Sequence, residues 1–195
     1  MTRVVLIRPG STDYDEQQRI QGTLDVPLNA RGSHEAVVTA GELRELTIAV
    51  IYSGNEQSAR DTARAIGEAT GIRVRELNKL HNLNHGLWQG LQEEGVRRKH
   101  PKVYRQWCEE PTTVCPPGGE TFGEAFDRVR RVVRPLLKRH RDAVFAIVAP
   151  EPIGSVIRCY LEQQDLARIW ELRNGDSRWQ VVEVTAEQSN GKVER

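Results

Sequence analysis

Short apolar runs alternate along this chain with longer stretches of helical spacing. Arg3–Ile7 is a β-branched run of strand length, the signature of a buried strand. Pro27 to Gly32 reads as a turn. Gly32 to Leu46 then places Ala36, Val37, Ala40, Leu43 and Leu46 on one helical face. Ile48–Tyr52 is a second strand. Asn55 to Thr70 is a helix with Ala59, Ala63 and Ile66 inward, and Gly71 is its C′ residue. Arg73–Leu77 alternates as a third strand. Asn78 to Pro117 breaks the rhythm, with short helices over Gln92–Lys99 and Lys102–Glu109, and with Trp88 and Trp107 as core and lid packing. Thr121 to Arg141 is a long helix with Phe122, Ala125, Val129, Val132, Val133 and Leu136 inward, and Pro135 is expected to kink it. Ala143–Ala149 is the most apolar strand, Ile153–Leu161 a helix behind it, and Trp179–Val184 a final strand. The alternation predicts one domain over 1–195, a three-layer α/β/α sandwich with a mostly parallel central sheet. Sites in such sheets lie at the carboxyl ends of the strands, so the turns Arg8-Pro9 and Pro150-Glu151 should face one another.

Composition narrows the class. The 195 residues bury a core without disulfides or metals. Hydrophobic residues are 38% and charged ones 28%, an ordinary soluble balance. Lys+Arg 28 against Asp+Glu 27 gives a net charge of +1, which argues neither for nor against nucleic acid. No apolar stretch approaches the roughly 20 residues of a membrane span, and Met1-Thr2-Arg3-Val4 runs into a strand rather than a signal peptide. Cys108, Cys115 and Cys159 are odd in number and lack CxxC spacing, so reduced thiols in the cytoplasm are the expectation. The five histidines, His34, His81, His85, His100 and His140, match no metal spacing. Neither metal nor cofactor is expected.

The ordered motifs resemble those of the histidine phosphatase superfamily, the phosphoglycerate mutase-like family. Leu6-Ile7-Arg8-Pro9-Gly10-Ser11-Thr12-Asp13 is similar to its Leu-x-Arg-His-Gly-Glu-Thr-Asp signature. Arg19 through Leu28 resembles the loop that follows, and Tyr52-Ser53 through Ala63 the second-strand turn with its helix. Gly86-Leu87-Trp88-Gln89-Gly90, Pro117-Gly118-Gly119-Glu120-Thr121 and Val148-Ala149-Pro150-Glu151 fall in order on later elements. The matches span about residues 3 to 161.

The resemblance implies a chemistry. An imidazole attacks phosphorus, two arginines and a second histidine neutralise the transferring oxygens, and a carboxyl group protonates the leaving oxygen. In this chain the nucleophile position is Pro9, the second histidine Pro150, the second arginine Ser58 and the acid Asn82. Arg60 lies two helical steps from Ser58, about 200° around the axis. Asp15 stands for a phosphate-binding asparagine and Glu151 for a glycine, while Gln21, Gly22 and Thr23 still match. Arg8 alone survives of the central set, and it is expected to pair with Asp15 or Glu151. The remnant pocket is therefore Arg8, Asp15, Gln21, Gly22, Thr23 and Glu151, with phosphate binding weak or absent.

These departures lead to the expectation of a non-catalytic pseudophosphatase with a binding, regulatory or assembly role. Its partner would be an unidentified protein or a second copy of the chain, since relatives often dimerise, with no nucleic acid and no membrane. Two alternatives stand beside it. One is a phosphomonoester phosphatase or mutase with a displaced mechanism, for example through His81 or His85. The other is a module that binds an acidic partner or nucleic acid through the basic helix 121–141, which carries Arg128, Arg130, Arg131, Arg134, Lys138, Arg139 and Arg141; a solvated face is the plainer reading of that helix.

Overall fold

The computed structural model describes residues 1–172 and 177–185. Five strands form one sheet: β1 (Thr2–Ile7), β2 (Ile48–Ser53), β3 (Val74–Glu76), β4 (Val144–Val148) and β5 (Trp179–Val184). Their order is β3-β2-β4-β1-β5. β4 lies in the middle, parallel to both β1 and β2, and only β5 runs antiparallel, alongside β1. Seven α-helices surround the sheet among the described residues: α1 (Asp13–Glu16), α2 (Ala30–Glu42), α3 (Gln57–Thr70), α4 (Glu93–Lys99), α5 (Pro101–Glu109), α6 (Phe122–Arg139) and α7 (Ile153–Glu162). The expected mostly parallel α/β sandwich is the fold observed.

The layers follow from alternation along strands whose two faces are both buried. Val5, Ile7, Ile51, Ala146 and Val148 pack on Ala40 of α2 and on Ala59, Ala63 and Ile66 of α3. Their neighbours Val4, Leu6, Tyr52, Phe145 and Ile147 face the other way, against Phe122, Val129 and Val133 of α6 and Val156 and Ile157 of α7. Small alanines on α2 and α3 let those helices approach the sheet closely. Trp88 and Trp107, each 6% exposed, belong to the α6 side, as expected of packing residues.

Caps explain where the elements depart from periodicity. α2 starts at Ala30 rather than Gly32, because the Asn29 side chain accepts a hydrogen bond from Gly32 N at 2.8 Å. Thr12 and Asp15 form a capping box that nucleates α1, a single turn the apolar pattern does not signal. Thr121 and Glu124 do the same for α6, which continues through Pro135 to Arg139. Gly71 closes α3 with φ 74°, in the left-handed region expected of it. Among the described residues no helix is long and apolar enough to cross a membrane.

Candidate active site

A cavity of about 690 Å³ opens at the carboxyl ends of β1 and β4. Pro9 and Pro150 are both buried and both line it, so the two strand-end turns do face one another. Ala149 N donates to Ile7 O at 3.0 Å and draws the strand ends together.

The β1 turn is held on several sides. Gly10 N donates to Thr62 Oγ1 of α3 at 3.0 Å, and Ser11 N donates to Glu35 Oε2 of α2 at 2.9 Å. A Cβ on Gly10 would stand 2.2 Å from Gly32 O, so only glycine lets the turn and the start of α2 come this close. Arg178, just before β5, donates to Pro9 O at 3.1 Å and to Ser11 Oγ at 3.2 Å, and forms an ion pair with Glu35. Burial pushes the Glu35 carboxyl up, but hydrogen bonds from Ser11 and the Arg178 charge outweigh it, and the group lies below the usual value. Sequence reasoning missed Arg178. It belongs to this turn only because β5 pairs antiparallel with β1, and one residue before an alternating strand carries no mark of that.

The expected pairing of Arg8 does not form. Among the described residues no carboxylate lies within ion-pair distance of its guanidinium. The two candidates are engaged by helix starts instead. Asp15 Oδ2 accepts from Thr12 N and Thr12 Oγ1, both at 2.7 Å, as part of the α1 cap. Glu151 Oε2 accepts from Ser155 N at 3.2 Å and Ser155 Oγ at 2.6 Å, where the first turn of α7 needs an acceptor. Arg8 lines the cavity with Asp15 and Glu151.

The other expected positions divide. Ser58 is buried near the N-terminus of α3 and lines the cavity. Arg60 points away, as its helical offset requires, pairing with Asp25 at 3.5 Å and donating to Asn55 O. Gln21 and Gly22 line the cavity. Thr23 is exposed and does not, because its N and Oγ1 are turned to Gln89 Oε1 at 2.8 and 3.0 Å. Asn82 is buried behind the lining. Its Nδ2 donates to Glu151 O at 2.9 Å and its Oδ1 accepts from Leu83 N at 2.8 Å, so it ties the β4 turn to the segment before Trp88. Arg128 of the basic helix is likewise structural: it pairs with Glu120 at 2.6 Å and donates to the carbonyls of Lys79, His81 and Asn82.

The wall of the cavity comes from the irregular middle of the chain. His85 lines it and is only 7% exposed. Its Nδ1 has no hydrogen-bond partner, and burial lowers its pKa from 6.5 to about 4. The imidazole is therefore neutral at pH 7. His81, the other histidine singled out from sequence, does not line the cavity, and its Nδ1 is engaged with Asn82 O at 2.9 Å. Arg19 and Glu93 also line the cavity and were not expected as site residues; Arg19 is held by Gly90 O and Gln17 Oε1, both at 2.7 Å.

Comparison with known proteins places this geometry. The family profile described as histidine phosphatase superfamily (branch 1) matches residues 4–194. Phosphoserine phosphatase 1 of Hydrogenobacter thermophilus is 30% identical over 182 residues, which cover 93% of this chain and 86% of that protein. Glucosyl-3-phosphoglycerate phosphatase of Mycobacterium tuberculosis is 36% identical over 135 residues, 69% of this chain and 60% of that protein. A solved structure of mycobacterial glucosyl-3-phosphoglycerate phosphatase in complex with VO3 superposes with a TM-score of 0.88 at 28% identity, covering 96% of this chain and 93% of that one. The family resemblance holds. The expectation of a non-catalytic pseudophosphatase is overturned: relatives this similar are named as phosphatases, and they favour the alternative of a phosphatase or mutase. The pseudophosphatase expectation rests on Pro9, Ser58, Asn82 and Pro150, and it places the displaced mechanism through His81 or His85 second.

Proposed function

Because the chain belongs to the histidine phosphatase superfamily, we propose that it is a phosphomonoester phosphatase whose working imidazole has moved from the cavity floor to His85. The observation that carries this reading is that His85, a buried imidazole with an unpartnered Nδ1, lines the same cavity as Arg8. Arg8, which no carboxylate pairs with among the described residues, offers its guanidinium to the phosphoryl oxygens. Near it, the N-terminus of α3 with Ser58 supplies the positive end of a helix dipole, a second attraction for an anion.

Pro9 has no side-chain lone pair to give phosphorus, so the attacking group is water. Phosphoryl transfer passes through a loose transition state, in which positioning and leaving-group charge matter more than activation of the nucleophile. His85 then acts on the leaving side. A bound phosphomonoester dianion favours the imidazolium, which gives its proton to the leaving oxygen as the P–O bond breaks and that oxygen takes the electron pair. Giving up that proton returns His85 to the neutral imidazole, while water bonds to phosphorus and its protons stay on the phosphate formed or pass to solvent. The products are the free alcohol and inorganic phosphate. Cys108, Cys115 and Cys159, none of them in a disulfide among the described residues, suit a cytoplasmic site of action.

The test is hydrolysis of alkyl phosphomonoesters and of p-nitrophenyl phosphate at high enzyme concentration. Turnover should co-elute with the protein on gel filtration. His85→Ala should lower the alkyl rates far more than the p-nitrophenyl rate, because nitrophenolate leaves without a proton. Absence of co-eluting turnover, or alkyl turnover indifferent to His85→Ala, would overturn the proposal.

A further inference from the structure

The cavity is large, and part of its lining is aromatic. Its volume of about 690 Å³ lies in the range of about 300–1,000 Å³ typical of sites for drug-sized ligands. Away from Arg8 and the two proline turns, its lining includes Ile20, Trp88, Tyr104, Trp107 and Trp170. These rings form a fixed set. Trp107 stacks on Phe122 with centroids 5.0 Å apart, and the rings of His85, Trp88 and Trp170 lie 5.4, 5.8 and 5.5 Å from it. Trp170 Nε1 donates to Trp107 O at 2.9 Å, which satisfies its polar edge and ties the two rings together.

Resting on the phosphatase reading, we infer that the alcohol portion of the substrate is an aromatic or bulky apolar group, as in an aryl or heteroaryl phosphomonoester. A small zwitterion such as phosphoserine fits poorly. Its carboxylate would need a cation, and Arg19, which lines the same cavity, already spends donors on Gly90 O and Gln17 Oε1. Its hydrocarbon is too slight to cover the ring surface, so it would forgo the burial that favours a larger group. Aromatic contact of the usual strength gives a preference of about tenfold.

The experiment has a binding arm and a turnover arm, both on the full chain. Calorimetric titration of the wild-type protein with inorganic phosphate and with non-hydrolysable phosphonate analogues of 1-naphthyl phosphate and phosphoserine reads binding without turnover. The expected order is the naphthyl analogue tightest by about tenfold or more. Wild-type kcat/KM should show the same preference. Tyr104→Ala, at the half-buried edge of the ring set, should shrink it at least threefold. Equal or better binding of the phosphoserine analogue and turnover of phosphoserine would overturn the inference and leave the phosphatase reading standing. Selective binding of the naphthyl analogue with no hydrolysis of any ester would do the reverse.

Discussion

The floor and the wall of the cavity are built from different material. The floor is two turns at the ends of central strands, fixed by backbone contacts: Gly10 against Gly32, Ala149 N on Ile7 O, Pro9 O on Arg178. Both residues there that the family resemblance makes imidazoles are prolines. The wall comes from an irregular segment with two tryptophans, and it holds the buried, unpartnered imidazole. The floor keeps the shape of a phosphoryl site without the chemical groups, while the wall holds a group that can move a proton. A family signature reports the floor, where the chain path is shared; the reactive side chain of a given member can stand elsewhere along the cavity.

The largest effect that would break this contrast is on activity. A positioned general acid contributes roughly 100- to 10,000-fold, so His85→Ala should lower alkyl phosphatase kcat by that factor. Pro9→His should change it little, since Ser58, Asn82 and Pro150 remain as they are. If Pro9→His raised turnover more than His85→Ala lowered it, the floor and not the wall would be the place of chemistry.

Acid should find the wall next. The His85 pKa falls from 6.5 to about 4 through burial, so between those values the folded chain holds fewer protons than the unfolded one. Stability therefore rises with pH through that window, and acidification through it costs about 3 kcal/mol in full. Urea unfolding at pH 7 and pH 4.5 measures most of this loss. His85→Gln, which does not titrate, should flatten the slope. A slope unchanged in that variant would mean the imidazole is more hydrated than its burial implies.

A smaller effect tests the floor as a rigid frame. Gly10→Ala forces a methyl against the Gly32 carbonyl, and overpacking of this kind costs about 1–3 kcal/mol. Gly41→Ala, in α2 with nothing within 4 Å of its new Cβ, should be neutral or stabilise by up to about 1 kcal/mol. Thermal unfolding of the two variants side by side checks it; similar midpoints would mean that the turn can yield.

The same contrast explains what was legible. Strands such as Ala143–Ala149 and the inward faces of α3 and α6 follow from periodicity, because burial repeats with the geometry of the element. The facing turns followed from sheet topology. Chemistry on side chains was read less well. Asp15 and Glu151 were assigned to Arg8 by sign of charge alone, when the free N–H groups of α1 and α7 were nearer claimants. Arg178 and Glu93 reach the cavity through long-range packing that leaves no local pattern. His85 was noted beside His81, but nothing in the sequence separates a ring buried against Trp107 from one bonded to a neighbouring carbonyl.

The finest probe addresses the joint between the two regions. Glu56 precedes α3 on the floor side, is 3% exposed, and accepts a hydrogen bond from Asn82 N at the foot of the wall, while its Oε2 has no partner. Burial pushes its pKa above 4.5, against the opposing pull of that hydrogen bond. The folded chain then holds the proton more tightly than the unfolded one. The stability this contributes is complete below pH 4.5 and is lost as pH rises through the folded value. This slope runs opposite to that of His85, so the wall weakens in acid and the joint weakens as the pH climbs. Glu56→Gln keeps an oxygen for Asn82 N and removes the titration. Its unfolding free energy should gain on the wild type between pH 5 and pH 8, with little difference at pH 4. If the two proteins stay parallel across that range, Glu56 is ionised in the fold, and the floor and wall are joined by a charge rather than by a neutral hydrogen bond.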